Sequence, residues 1–515
     1  METPRKEASW KALTAAQVVF ALNLISLLLI VIWFWNQPIQ DPFTKDSSQN
    51  VYIAFNLASE GRFSLDPNPG GEPTMHREPV GPAISALGIL LDPRLPSTLT
   101  AKTVNTPPYV GYLSQHRAIV IGFVLLACAW CVWSLLGRNM AAAITSIVST
   151  LLVFVFVFSG GTMYDDFQNE IYSLGLIALL AGATGRYLQG RSYKWAVIVG
   201  IILGFLGLNS ASLLYVGLGY VGFLLLYPTF SGMIVPRRHA VGMALVAGIA
   251  MVLVVLPWIA RNQIQFGSSS LALRGGVVLL NRATKDQMSN QELLGAFYAF
   301  APRYPQRWLG SVLGYDSNDF KPGGRLQRLN RDNEMSYAKA GVEAVYGDSP
   351  GDPISLRRQA RSQRTKLIRT LAAEGVESPD AVADSMLQRK AIEQIVRNPL
   401  DHLRTTPLFL WRGMWSLDSK FLPSGVDFWV NTFGFLSLIL LLAWGMLRRN
   451  VAAISFSLFP IGFISFYGLA THFMLRYSRP VAASMVIAAV VVVFLLGKAI
   501  YDRRKRVARN DEVNL

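Results

Sequence analysis

The sequence predicts an all-α polytopic membrane protein. Of its 515 residues, 52% are hydrophobic and only 16% are charged, whereas a soluble domain carries about 25% charged residues. A helix that crosses a bilayer needs roughly 20 mostly apolar residues, and about ten runs approach this length: 15–36, 117–136, 140–158, 170–187, 195–209, 211–227, 240–259, 428–446, 451–469 and 481–498. Lipid offers the backbone no hydrogen bonds, so we expect each run to be helical.

The first run predicts a retained anchor, because it is too long for a signal peptide and is not followed by a small-residue cleavage site. The runs at 195–209 and 211–227 are either two helices or one long helix with a polar kink at Asn209 and Ser210. Lys and Arg collect in short cytoplasmic loops, and two helices place a basic residue in every inner segment. We therefore expect two helices, with both termini cytoplasmic, in a bacterial inner (plasma) membrane.

The formal net charge of +16 follows from this topology and from attraction to anionic headgroups. No nucleic-acid-binding module is visible in the sequence, so we expect no nucleic-acid partner. Cys128 and Cys131 lie one helical turn apart in the second span, and this pattern is typical of buried apolar cysteines. The sequence contains no HExxH, P-loop or GxGxxG motif that would indicate zinc, ATP or a dinucleotide.

We predict three regions. Residues 1–259 form an N-terminal transmembrane catalytic module, whose outer loop, 37–116, contains surface helices at 48–60 and 80–91. Residues 260–427 form a mostly helical extracytoplasmic segment, with helices at 355–375 and 379–397. Residues 428–515 contain the last spans and a basic cytoplasmic tail. The arginine-rich run at 357–369 fits either an anionic acceptor or headgroup or a solvated helix face, and nearby acidic residues favour the solvated face.

Several charged residues fall at the predicted outer ends of the spans. Asp46 follows the first span, and Glu170 opens the fourth after the acidic pair Asp165 and Asp166. The basic residues of this face include Lys45, Arg77, Arg261, Arg476 and Arg479. A carboxylate at a membrane edge can act as a base, and guanidinium groups can bind a phosphate through two parallel hydrogen bonds.

The order of these motifs resembles the GT-C superfamily of membrane glycosyltransferases, especially the family 39 type, which includes protein O-mannosyltransferases and the lipid A aminoarabinose transferase. The family's Asp after the first span, with its following Ala, Asn-Leu, Gly and aromatic residue, is matched by Asp46, Ala54, Asn56, Leu57, Gly61 and Phe63. The chain departs from the family at Asn50, where a Tyr is usual, and Tyr52 lies two residues late. The later motifs are similar at 77–82, at Glu170, at 257–267 and at 476–480. The resemblance covers roughly 15–300 and 390–498.

The resemblance implies a glycosyltransferase that moves a hexose or pentose from a polyprenyl-phosphate donor to a hydroxyl at the extracytoplasmic face, with inversion. The acceptor is a lipid, a protein or a polysaccharide. We expect Asp46 and Glu170 to be catalytic, and Asp165, Asp166 and Tyr52 to position the acceptor. The donor phosphate is expected to bind Arg261, Arg476, Arg479, Arg77 and Lys45. We expect no metal ligands, and a need for a divalent cation is left open.

Each of these residues also has an ordinary structural interpretation. Asp46 can cap a surface helix, Glu170 can interact with a helix dipole, and the arginines can extend toward headgroups. Two other function classes also remain open, a transporter or flippase for a polyprenyl-linked or other lipid and a non-catalytic scaffold. Transporters place ionisable groups near the bilayer midplane, whereas this chain concentrates them at the outer edge. The scaffold predicts that replacing Asp46 has no effect.

Overall fold

The fold is all-α, as predicted. A computed structural model describes residues 3–39, 41–137, 139–159, 168–190, 192–231, 237–330, 335–417 and 423–513. Within these ranges the chain forms helices without β-strands, and two isolated β-bridges pair Ser64 with Pro73 and Ser336 with Pro353.

The main helices are α1 (Thr3–Trp35), α2 (Lys45–Glu60), α3 (Val80–Leu91), α4 (Tyr109–Leu136), α5 (Met140–Val153), α6 (Glu170–Gly190), α7 (Tyr193–Asn209), α8 (Ala211–Ser231), α9 (Arg237–Phe266), α10 (Gly275–Thr284), α11 (Asn290–Phe300), α12 (Arg303–Leu313), α13 (Leu356–Ala373), α14 (Pro379–Arg397), α15 (Pro399–Gly413), α16 (Ser424–Arg448), α17 (Val451–Ala470) and α18 (Ala482–Val513). A π-helical turn, Phe154–Phe158, extends α5. One-turn helices lie at Ala101–Val104, Tyr337–Ala340 and Leu475–Ser478, and 3-10 turns at Lys285–Gln287, Ser317–Phe320, Gln327–Leu329 and Arg479–Val481.

Eight helices in the described part of the chain are long and apolar enough to cross a membrane: α1, α4, α5 with its π-helical turn, α6, α9, α16, α17 and α18. The remaining two predicted spans are the shorter apolar helices α7 and α8. The chain forms two helices here because Ser210 is extended, with φ −156° and ψ 124°. At 1.5 Å per residue, the 17 residues of α7 extend about 25 Å.

Within the bundle, α4 packs against α1, α5 and α6. Cys128 and Cys131 are buried in this helix, as the apolar interpretation predicts. Gly182 of α6 allows the two helices to approach closely, because a Cβ at that position would lie 2.3 Å from the ring of Trp130. The apolar runs therefore pack into one continuous core.

The loop 37–116 folds around α2 and α3, whose bounds agree with the predicted surface helices to within three residues. Apolar residues of both helices share a cluster that includes Phe43, Val51, Phe55 and Ile89. The α2 helix ends where Gly61 adopts a left-handed φ of 67° and its N–H bonds back to the helix. This packing holds the first turn of α2, which contains Asp46, at the end of the bundle where α6 begins.

The segment after α9 lies at the same end of the bundle. Its helices α13 and α14 have the predicted positions. Asp384 of α14 accepts hydrogen bonds from the backbone N–H groups of Gly276 (3.0 Å) and Val277 (3.3 Å), which fixes α10 against α14. The buried Arg282 then joins the segment to the bundle by donating to the carbonyl of Gly468 at 3.2 Å. The division at 259 and 427 stays a prediction.

Candidate functional site

The structure places Asp46 among three arginines. Arg77 donates a hydrogen bond to Asp46 Oδ1, and Arg476 Nη1 donates to Oδ2 at 2.9 Å. Arg274 Nη1 lies 3.6 Å from Oδ1. Both carboxylate oxygens are therefore engaged by guanidinium groups. We call Asp46, Arg77, Arg274 and Arg476 the Asp46 cluster.

The four residues come from distant parts of the chain. Asp46 is in the first turn of α2, and Arg77 lies in a bend shortly before α3. Arg274 precedes α10 with a left-handed φ of 91°, and Arg476 is in the one-turn helix before α18. The N-cap of α2 is Thr44, so Asp46 does not occupy the capping position that the ordinary interpretation gave it.

The arginines decide the protonation state of Asp46. Burial of this carboxyl by itself raises its pKa, but the charges and hydrogen bonds of Arg77 and Arg476 outweigh burial and lower the pKa from 3.8 to about 2. Asp46 is therefore ionised at neutral pH. A carboxylate held in this way is a weak base, and it becomes a stronger one if the guanidinium groups are drawn away.

Arg476 also connects Asp46 to Glu170. Its Nε lies 3.2 Å from Glu170 Oε1, so one guanidinium bridges two carboxylates. Three guanidinium groups and two carboxylates give this contact set one surplus positive charge. The side chains of Arg274 and Arg476 are 40% and 29% exposed. An anion can therefore reach them from solvent.

A buried polar network supports Glu170. The side chain of Asn209 donates to the carbonyl of Asn169 and to Ser173 Oγ, both at 2.7 Å, and Asn169 donates back to the carbonyl of Asn209 at 3.0 Å. Glu78 lies 3.5 Å from Asn169 Nδ2 and from the N–H of Ala211. Asn209, the last residue of α7, therefore holds the start of α6 in place.

Arg261 does not join the Asp46 cluster. Its guanidinium donates to the carbonyl of Thr74 and to the side chain of Asn262, both at 2.8 Å. It also packs over the rings of Trp258 and Phe266. Arg261 lines a separate cavity of about 370 Å³ beside the segment that carries Arg77.

The other predicted residues surround the cluster with different roles. Lys45 is exposed next to Asp46, and Tyr52 packs against the apolar cluster of the loop. Arg479 is half-buried at the start of a 3-10 turn, three residues after Arg476. Asp165 and Asp166 lie outside the described residues. Across the part of the chain that the structure describes, no group of three His, Cys, Asp or Glu side chains can hold a metal ion.

Two residues of the site were not predicted. Gln49, one turn after Asp46, accepts from Arg77 Nε at 3.0 Å and orients that guanidinium. Arg274 is the third arginine of the Asp46 cluster. The available signal for Arg274 was weak, namely a basic residue immediately before Gly275 and Gly276 in a segment already assigned to the outer face.

No protein-family model matches the sequence, and no curated protein matches it. The chain is similar to the solved structure of the Archaeoglobus fulgidus oligosaccharyltransferase in the apo form, with a TM-score of 0.47, 11% identity, and coverage of 96% of this chain and 52% of that chain. It is also similar to ArnT from Cupriavidus metallidurans bound to undecaprenyl phosphate, with a TM-score of 0.34, 11% identity, and coverage of 92% and 77%. The chain spans about half the length of the oligosaccharyltransferase chain.

Proposed function

We propose that this protein is an inverting membrane glycosyltransferase that moves a sugar from a polyprenyl-phosphate donor to a hydroxyl acceptor at the extracytoplasmic face. The observation that carries the proposal is the Asp46 cluster, in which one carboxylate is surrounded by three arginines at the end of a helix bundle. The order of the sequence motifs supports the same activity.

The arginines suit the donor phosphate. Guanidinium groups bind phosphate oxygens with paired, charge-assisted hydrogen bonds, and Arg274 and Arg476 are exposed enough to reach a ligand. A phosphate that enters the cluster competes with Asp46 for these groups. The resting ion pairs therefore hold the arginines in place until the donor arrives.

Donor binding also activates Asp46. When the phosphate takes up the guanidinium groups, the interactions that lower the pKa of Asp46 weaken, and burial, which raises that pKa, remains. The carboxylate then becomes a better proton acceptor. The base gains its strength only when the donor is bound, which limits unproductive chemistry.

The reaction is a single displacement. Asp46 accepts the proton of the acceptor hydroxyl as that oxygen forms a bond to the anomeric carbon of the sugar. The bond from the anomeric carbon to the phosphate oxygen breaks, and the polyprenyl phosphate leaves with the electron pair, stabilised by the arginines. Glu170 positions Arg476 through their 3.2 Å contact.

The test is transfer of radiolabelled sugar from a panel of polyprenyl-phosphate sugars to membrane acceptors by the purified protein. We expect transfer from at least one donor, and a loss of about 100-fold or more in Asp46→Asn, which is the range for removal of a general base. Asp41→Asn is the matched control, because Asp41 is an exposed aspartate five residues earlier.

Full transfer by a folded Asp46→Asn protein would eliminate Asp46 as the base. Transfer from none of the donors by the wild-type protein would reject the enzyme. Equal losses in Asp46→Asn and Asp41→Asn would assign the effect to the loop and not to the carboxylate.

A further inference from the structure

We propose that α12 is an interfacial helix, whose exposed apolar face inserts into the lipid leaflet at the Asp46 end of the bundle while its basic edge contacts anionic headgroups. The apolar face consists of Tyr304, Trp308 and Val312, and the basic edge consists of Arg303 and Arg307. The partner is therefore an anionic lipid surface. This contact is separate from sugar transfer and does not depend on the proposed function.

The exposed side of α12 is divided into these two parts. Tyr304, Trp308 and Val312 recur every four residues, which places them on one side of the helix, and they are 50%, 63% and 62% exposed. Arg303 and Arg307 each precede an aromatic residue by one position, so they lie on the adjoining side, and both are exposed. Aromatic residues beside arginines are typical of helices that lie in a membrane interface.

The opposite side of α12 packs against the protein. Pro305 is buried, Leu309 and Leu313 are half-buried, and the helix contacts α11 and α16. A Cβ on Gly310 would lie 3.0 Å from the ring of Tyr298 in α11. These contacts fix the rotation of α12 about its axis, and the apolar face therefore points away from the protein.

The position of α12 along the bundle matches the start of a transmembrane helix. The apolar span of α16 begins at Gly425, and a Cβ at that position would lie 3.8 Å from the ring of Tyr304. The ring of Phe428, one turn later in α16, lies 5.5 Å from that of Tyr304 between centroids. Tyr and Trp side chains are enriched where headgroups meet hydrocarbon. The contact with Gly425 and Phe428 places α12 at this boundary.

The apolar face of α12 continues the lipid-facing side of α16. That side of α16 exposes apolar residues three or four positions apart, namely Trp429, Phe433, Leu436 and Leu440. An exposed apolar side of a membrane span is covered by lipid, and the same lipid can cover an apolar face that adjoins it. Gly434 of α16 approaches Met485 of α18, since a Cβ on Gly434 would lie 3.0 Å from the Cβ of Met485. Because Arg476 lies just before α18, α16 begins at the Asp46 end of the bundle.

The basic edge favours an anionic lipid surface over a second copy of the chain. Within the described part of the chain, neither Arg303 nor Arg307 makes a salt bridge, so both charges are available to a ligand. An anionic membrane surface attracts basic side chains that lie close to it. In a symmetric dimer through this face, the same arginines of two copies would approach each other, and their charges would repel.

The experiment attaches a bimane fluorophore to single introduced cysteines in the full-length protein, with one copy in each phosphatidylcholine nanodisc. The native Cys128 and Cys131 are buried, and the protein without an introduced cysteine is the labelling blank. We expect phosphatidylcholine with brominated acyl chains to lower the fluorescence at Trp308→Cys and Val312→Cys about twofold or more, because an interfacial apolar face reaches about 5–10 Å into the boundary of the acyl chains.

Two further positions calibrate the measurement. Phe433→Cys is the positive control, because Phe433 is exposed on the lipid-facing side of α16. Glu374→Cys is the negative control, because Glu374 is a charged, exposed residue in the turn after α13. We expect quenching at Phe433→Cys and none at Glu374→Cys.

A second measurement tests the basic edge. It uses phosphatidylglycerol that carries a nitroxide near the headgroup end of its acyl chain, at low mole fraction in phosphatidylcholine. This lipid should quench bimane at Trp308→Cys about threefold more strongly than in the same protein with Arg303→Gln and Arg307→Gln, because each basic residue raises the local concentration of anionic lipid. Nitroxide-labelled phosphatidylcholine should quench both proteins equally. Unchanged quenching at Phe433→Cys shows that the arginine variant is folded.

Each alternative has its own outcome. Quenching by brominated lipid at Phe433→Cys but not at Trp308→Cys would place the face outside the leaflet and overturn the proposal. Protection of Trp308→Cys from both brominated lipid and aqueous iodide would assign the face to a protein partner, which also overturns it. Equal quenching at Glu374→Cys would show that the signal is unspecific and remove the support for insertion. Equal quenching by labelled phosphatidylglycerol with and without the two arginines would refute the contact with anionic headgroups.

Discussion

Replacing Asp46 by Asn should increase the affinity of the protein for a polyprenyl phosphate while it abolishes sugar transfer. In the resting structure the Asp46 carboxylate occupies the guanidinium groups of Arg77, Arg274 and Arg476. The donor phosphate must displace the carboxylate from these groups. Asn has nearly the same size but no charge, so the arginines become available to the phosphate.

The magnitude follows from the pKa of Asp46. The difference between the ordinary value of 3.8 and about 2 corresponds to about 2 kcal/mol in favour of the charged form. Because burial acts in the opposite direction, the arginines contribute at least this much. The Asp46 side chain is 25% exposed, so solvent screens part of the attraction between its carboxylate and the arginines. We therefore expect a gain in affinity between about fivefold and about 60-fold.

The assay is isothermal titration of a polyprenyl phosphate into the detergent-solubilised protein, with radiolabelled transfer measured on the same preparations. Asp41→Asn serves as the control and should bind and transfer like the wild type. Unchanged or weaker binding by Asp46→Asn would refute the idea that carboxylate and phosphate compete for the same arginines. Tighter binding with full transfer would separate Asp46 from catalysis.

Three further predictions concern the same region. Arg274→Gln should raise KM for the donor by about fivefold to tenfold, because it removes one charge-assisted phosphate contact; a steady-state assay in which only kcat changes would contradict this role. Gly276→Ala should lower the thermal unfolding midpoint, because its Cβ would lie 1.9 Å from the carbonyl oxygen of Asp384. The control Gly275→Ala should leave the midpoint nearly unchanged, since the atom nearest to its Cβ is 3.9 Å away. Equal midpoints for the two variants would disprove the close α10–α14 contact. The ion pairs that lower the pKa of Asp46 should stabilise the folded protein fully above pH 3.8, and this stabilisation should be lost as the pH falls toward 2. The thermal unfolding midpoints of wild type and Asp46→Asn should therefore converge at low pH. A difference between the two midpoints that stays constant across this pH range would contradict the ion pairs.

Local patterns in the sequence were sufficient to predict the helices. The apolar runs predicted the bundle because a membrane demands a helix wherever about 20 apolar residues occur together. The surface helix at 48–60 and the outer helix at 379–397 were also predictable. The first is amphipathic, and the second begins with Pro379 and is followed by Asn398, which are local signals.

The sequence predicted only some of the residues that form the site. Asp46, Arg77 and Arg476 were expected at one face, because the predicted topology places the segment of each at the outer side of the membrane. Arg261 satisfied the same criterion, yet its guanidinium binds Thr74 and Asn262. The difference depends on how α9 is rotated about its axis and on which side of the 73–79 segment the side chain emerges. A run of apolar residues does not specify either property.

The sequence by itself determined the helices, their order and the end of the bundle at which the charged residues gather, because hydrophobicity and helix-terminal residues act within a few turns. Only the tertiary structure decided that Arg274 completes the Asp46 cluster and that Arg261 does not. Asp46 and Arg476 are 430 positions apart. Contacts of this kind depend on how side chains of many helices pack together, and no local pattern records that arrangement.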